Sequence, residues 1–227
     1  MAVLVKDLRA ELRAREALVS MGVFALLSVV VFGMAFEPWF EEPVGSVAER
    51  FGLIVTPGLV WIAFVFSGIL GLEHSFAMER EAGALDALRL APVDRGAIYL
   101  GKAAANACLI VVIEAVVLPV FALFFNVPMA HAVWRLIPVG LLGALGFSAA
   151  GTIFAAVAAN TRMRNVMLPL LLFPVTAPLM VAAVEATGAA LNPAAGGAYS
   201  LTLQFLAGFA IIYLTAAYLL FGQVLEE

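Results

Sequence analysis

Gly71-LEHSFAMEREAGALDALRLAPVDRGAIYLG-Lys102 is a polar island between two apolar runs, each long enough to cross a bilayer. Within it lie Glu73, Glu79, Glu81, Asp86 and Asp94, together with His74, Arg80, Arg89, Arg95 and Lys102, in a chain holding only 16 acids and 12 Lys/Arg in all. A chain that is 64% hydrophobic and 12% charged, with a mean hydropathy of +1.08, cannot hide its apolar side chains in a soluble core of 227 residues. The expected fold class is therefore all-α, a polytopic membrane protein that presents this island to water. Any catalytic or docking chemistry that needs a wet surface belongs there first.

Outward from the island, apolar runs of membrane length fall at about 17–36, 51–72, 98–125, 134–159, 166–187 and 201–222. Six transmembrane helices follow. Lys6, Arg9, Arg13 and Arg15 precede the first run; Arg80, Arg89, Arg95 and Lys102 flank the second connection; Arg162 and Arg164 stand in the fourth; the remaining connections carry only Arg50 and Arg135. The positive-inside rule then puts both termini and the island on the cytoplasmic side. A cleaved signal peptide does not suit the first 36 residues, because the apolar run is too long and Met34-Ala35-Phe36 leads straight into Glu37-Pro38. Ahead of that run, Leu4, Leu8 and Leu12 recur at one-turn spacing with Lys6, Arg9, Arg13 and Glu16 off the stripe. Residues 1–16 read as an amphipathic helix in the cytoplasmic interface, with a solvated basic flank as the plainer alternative. No repeat or linker divides the chain, so 1–227 is expected to be one transmembrane domain.

Inside the spans, GLLGALGFSAAG (Gly140–Gly151) offers small faces for close helix approach. Pro169, Pro174 and Pro178 each remove a backbone donor from the fifth span, which predicts a kinked or interrupted helix, bent either for packing or to line a path. Glu114, five residues before Pro119, is a carboxyl at membrane depth; it reads either as a partnered structural group or as the polar member of an intramembrane site with those prolines. Glu185 is shallow enough to reach the interface. Trp39 and Trp134 fit an aromatic belt, and His131 is a lone loop histidine. Cys108, the single cysteine, allows no disulfide or C-x-x-C site.

Catalytic signatures are lacking. Gly96-AIYLG-Lys102 fits G-x-x-x-x-G-K, but Ala103 stands where magnesium needs a hydroxyl and the stretch opens a membrane helix. Lys102 is expected instead to snorkel its amine to the lipid headgroups. No metal site and no nucleic-acid surface is indicated, and the chain is not expected to be an enzyme by itself. From Phe76 to Leu90, apolar Met78, Ala82, Leu85 and Leu88 alternate with Glu79, Arg80, Asp86 and Arg89, which predicts a short cytoplasmic amphipathic helix that Pro92 ends and a fresh N-cap at Asp94 for the third span.

Glu79, Arg80, Glu81, Gly83, Leu85, Asp86, Leu88, Pro92, Val93 and Arg95 together form a pattern that resembles the cytoplasmic loop of ABC-2-type transporter permeases. KDLRAELRARE, His74-SFAMERE and APVDRGAIYLGK resemble, more narrowly, the CcmB family. The first resemblance implies a coupling helix over residues 73–97 that docks on an ATPase, with Phe76 and the ten residues above except Val93 as contact candidates, and an elbow helix at the N-terminus. The second implies an assembly with the ATP-binding subunit CcmA, the membrane subunits CcmC and CcmD and the haem chaperone CcmE, with ATP bound at the partner and haem as the ligand handled rather than a resident cofactor. Two other readings stay open: a generic ABC-2 exporter permease for a lipid, drug or glycan, and a non-transporting membrane scaffold.

Overall fold

The computed structural model describes residues 2–40, 47–81, 94–125, 132–159, 161, 163–192 and 196–226, which form seven helices and, among the described residues, no strand. They are α1 (Ala2–Ala14), α2 (Glu16–Phe40), α3 (Val47–Glu81), α4 (Arg95–Phe124), α5 (Val133–Ala159), α6 (Arg164–Leu191) and α7 (Gly196–Glu226). Six of them, α2 to α7, are long and apolar enough to cross a membrane, over Glu16–Phe36, Ile54–Met78, Arg95–Phe124, Val133–Ala159, Val166–Leu191 and Gly196–Gln223. These match the expected runs to within a few residues at each end. The protein is a multi-pass membrane protein.

At the first bend, Arg15 takes a left-handed backbone, φ 60, and breaks α1 from α2. Glu11, buried, reaches across that break: its carboxylate accepts the backbone N–H of Leu18 at 2.9 Å and so occupies one of the orphan donors of the α2 N-terminus. The elbow is thus held by a cap as well as by chain connectivity.

α5 is the hub, touching α3, α4, α6 and α7. Its small residues make this geometry available. A Cβ on Gly143 would run into the Trp61 ring of α3, and one on Gly151 into the Leu72 side chain, so α3 lies against α5 at a distance only glycine permits. Polar side chains tie neighbouring interfaces where lipid offers no competing partners: between α4 and α5, Ser148 donates to the Ala103 carbonyl at 2.5 Å, Tyr99 to that of Ala149 at 2.9 Å and Asn106 to Thr152 at 3.0 Å, and between α3 and α6 the Trp61 indole donates to Thr187 at 2.9 Å. Each such bond contributes on the order of 0.6 kcal/mol.

α6 differs from one expectation. It runs unbroken from Arg164 to Leu191 through Pro169, Pro174 and Pro178, so the fifth span is not interrupted. A proline forfeits one backbone bond, and the flanking turns on either side supply enough to carry the helix through; Thr176 adds a side-chain bond to the Leu172 carbonyl at 2.9 Å.

Candidate functional site

The island begins as a continuation of α3. Phe76 does not open a new helix, since α3 passes through Met78, Glu79 and Arg80 to Glu81. Gly83, Leu85, Asp86, Leu88 and Pro92 lie outside the described residues, as does His131, so the expected coupling helix is described only over its first turn.

Phe76 turns inward. It is buried, and its ring lies 4.7 Å beneath the ammonium of Lys102. That ammonium also sits 3.4 Å from an Asp7 carboxylate oxygen, whose other oxygen is 3.1 Å from Lys6. Lys102 is 2% exposed, so it does not snorkel to the headgroups as its position at a helix end suggested. The cause is α1, which lies across α4: a Cβ on Gly101 would stand 2.9 Å from that of Val3. α1, α3 and α4 therefore meet at one buried cation, directly below the point where α3 leads into the island.

Arg95 and Asp94 fix the other side of the island. The Asp94 carboxylate caps α4 by accepting the Gly96 N–H at 3.3 Å and accepts the Tyr218 hydroxyl of α7 at 2.7 Å. Those bonds, Tyr218 first, hold its pKa below the ordinary carboxylate value. Arg95 donates to the Gly222 carbonyl at 3.0 Å, clamping the start of α4 to the end of α7. His74 lies 3.6 Å from Glu16 at this same end of the molecule. The opposite end gathers Arg135, stacked 4.5 Å over the Tyr199 ring and bonded to the Asn192 carbonyl at 3.4 Å, beside Trp134, which is 84% exposed.

Within the membrane, Glu114 is buried on α4 against Gly140 of α5, at the base of a lateral cleft of about 460 Å³. Pro169, Pro174 and Pro178 do not line that cleft, so the carboxyl and the three prolines, expected as one polar site, do not share it. A second cleft, of about 690 Å³, separates α3 from α6 and carries exposed Glu185 on its wall. No group of three or more His, Cys, Asp or Glu placed to hold a metal occurs among the described residues. The Lys102–Asp7–Phe76 cluster escaped the sequence reading because Asp7 and Lys102 are far apart in the chain; the leucine ladder of α1 signalled the helix but not its seat.

Six apolar helices around a small-residue hub, with an N-terminal elbow and a helix continued out of the bilayer into a charged connection, define a polytopic membrane protein of permease architecture. The chain belongs to the CcmB protein family, whose model matches residues 1–226. It is 32% identical over 219 residues to the haem exporter protein B of Paracoccus denitrificans, covering 95% of this chain and 93% of that protein. The protein of the same name from Rhodobacter capsulatus is 28% identical over 208 residues, 91% of this chain and 89% of its own, and that of Pseudomonas aeruginosa 25% identical over 208 residues.

Proposed function

We propose that this chain is the membrane permease subunit of an ABC-type system that handles haem for cytochrome c maturation, coupling ATP hydrolysis by a partner to release of a haem-loaded chaperone or to haem export. The observation that carries the reading is the full-length family match, together with relatives named for haem export. The partners in this reading are the ATP-binding subunit CcmA, the membrane subunits CcmC and CcmD and the chaperone CcmE. The membrane is the bacterial inner membrane, with both termini cytoplasmic, a placement supported by the positive charges around the elbow and the island.

In this mechanism the ATPase docks on Glu79, Arg80, Glu81 and the connection that follows, including Gly83, Leu85, Asp86, Leu88 and Pro92. α3, 35 residues and about 52 Å long, is the lever. Its base is gripped where Phe76 meets Lys102, and its middle bears on α5 through Trp61 and Gly143. Movement of its cytoplasmic end would thus be felt at the hub rather than absorbed by a loop. Phe76 and Arg95, both engaged inside the bundle, serve to brace this lever.

The test is copurification and turnover. The tagged chain should retain a CcmA-type ATPase, bind no nucleotide alone, and support ATP hydrolysis only with that partner. Saturable ATP binding by the isolated chain, lost in Lys102→Ala, would overturn the subunit assignment. An ATPase indifferent to the chain would leave it a scaffold.

A further inference from the structure

Glu114 is 4% exposed, and among the described residues its Oε1 has no hydrogen-bond partner. Burying a polar group without a partner is costly, and at membrane depth it marks a place where a partner is to be supplied. The carboxyl lies at the base of the cleft between α4 and α5, walled by Val111, Leu118, Ile137 and Leu141 and flanked by Ala115 and Pro119. Pro119 has no N–H, so the Ala115 carbonyl, four residues earlier, loses its helical donor on the same wall. The cleft therefore offers the Glu114 carboxyl and the Ala115 carbonyl as acceptors among aliphatic side chains. A carboxyl accepts a hydrogen bond in either protonation state.

Depth and size narrow the occupant. Gly140, which Glu114 touches, lies on α5 five residues beyond Arg135, about 8 Å along the helix axis. Arg135, Tyr199 and exposed Trp134 mark the membrane boundary there. Glu114 thus sits beneath the headgroup belt, where a charged group is costly and an uncharged hydroxyl is not. The cleft's 460 Å³ falls in the range of small-molecule sites, about 300–1,000 Å³, with the mostly apolar wall and single polar anchor those sites have.

We propose that the α4–α5 cleft binds an uncharged, hydroxyl-headed membrane lipid, its hydrocarbon chain along the aliphatic wall and its O–H donated to Glu114. The site is independent of the ATPase-coupling reading, so failure of one leaves the other standing.

1,2-Dioleoylglycerol and the dioleate of propane-1,2-diol differ by one hydroxyl, and native mass spectrometry of the purified full-length chain with each lipid tests the site. Wild type should retain the alcohol about tenfold better, the worth of one hydrogen bond to a carboxyl. Glu114→Leu should hold both lipids alike, Glu114→Gln, which keeps an acceptor, should still prefer the alcohol, and Ala115→Phe should fill the cleft and lose both. Gel filtration and helical circular dichroism confirm folding; if Glu114→Leu does not fold, the glutamine and phenylalanine variants carry the comparison. Equal retention of the two lipids by wild type, or an unchanged preference in Glu114→Leu or Ala115→Phe, would overturn the proposal. So would retention of neither lipid by the folded wild type.

Discussion

Gly143 and Gly188 illustrate how differently the same residue type behaves in one bundle. A side chain at Gly143 meets the rigid Trp61 ring, whereas a Cβ at Gly188 has no heavy atom within 4 Å. Overpacking of this kind costs about 1–3 kcal/mol, while replacing an unencumbered helical glycine by alanine gains up to about 1 kcal/mol. Gly143→Val should therefore lower the thermal midpoint in detergent and Gly188→Ala should raise it or leave it unchanged; equal effects would refute the close α3–α5 contact. At Asp94 the prediction concerns pH. Its carboxyl is held below the ordinary 3.8, mainly by the Tyr218 hydroxyl. A group held low stabilises above its unfolded value, and that contribution disappears as pH falls through the lower folded value. Tyr218→Phe should move the Asp94 titration back up, read by carbon-13 chemical shift, and leave the α4–α7 contact to Arg95 and the Gly222 carbonyl, without the acid-sensitive contribution present in wild type.

Among the elements, the elbow and the lever make opposite demands on the backbone. Arg15 needs a left-handed conformation, which costs an L-residue about 1–2 kcal/mol. Arg15→Gly should keep the elbow and relieve that strain, whereas Arg15→Ile, β-branched, should destabilise it; protease cleavage between α1 and α2 reads the difference. The lever depends on rigidity and on charge at its tip. Reversing both Glu79 and Arg80, or making Asp86→Arg, should abolish stimulation of the partner ATPase while the membrane helices stay folded, because a reversed charge in a buried interface costs about 2–5 kcal/mol and an exposed one well under about 1 kcal/mol. ATPase binding that persists in these variants would reduce the island to a topology signal.

The whole molecule makes a topological prediction. Contacts of α4 with Asp7 and with Gly222 bring the N-terminal helix and the end of α7 to one end, and Arg135, Tyr199 and Asn192 occupy the other. In a Cys108→Ser background, Trp134→Cys and Ser200→Cys should react with impermeant maleimide from outside intact cells, and Thr161→Cys and Gln223→Cys only after permeabilisation. One site labelled from the wrong face would invert the arrangement.

Much of this was legible in one dimension, because hydrocarbon leaves the backbone little choice: any span must satisfy its own hydrogen bonds as a helix, so six apolar runs dictate six helices. The elbow and the Asp94 cap were equally local, written in a leucine ladder and in a capping residue ahead of a helix. What depended on residues distant in the chain was not legible. That Lys102 is buried under α1 instead of lying among headgroups, and that Glu114 shares its cleft with Pro119 and not with Pro169, Pro174 or Pro178, follow from which helix faces which. Apolar helices in lipid are nearly interchangeable by hydropathy, and only close packing of small residues and a few interhelical hydrogen bonds selects their neighbours. Composition thus determined the number and the class of the spans, and the tertiary structure alone decided which polar side chains meet inside them.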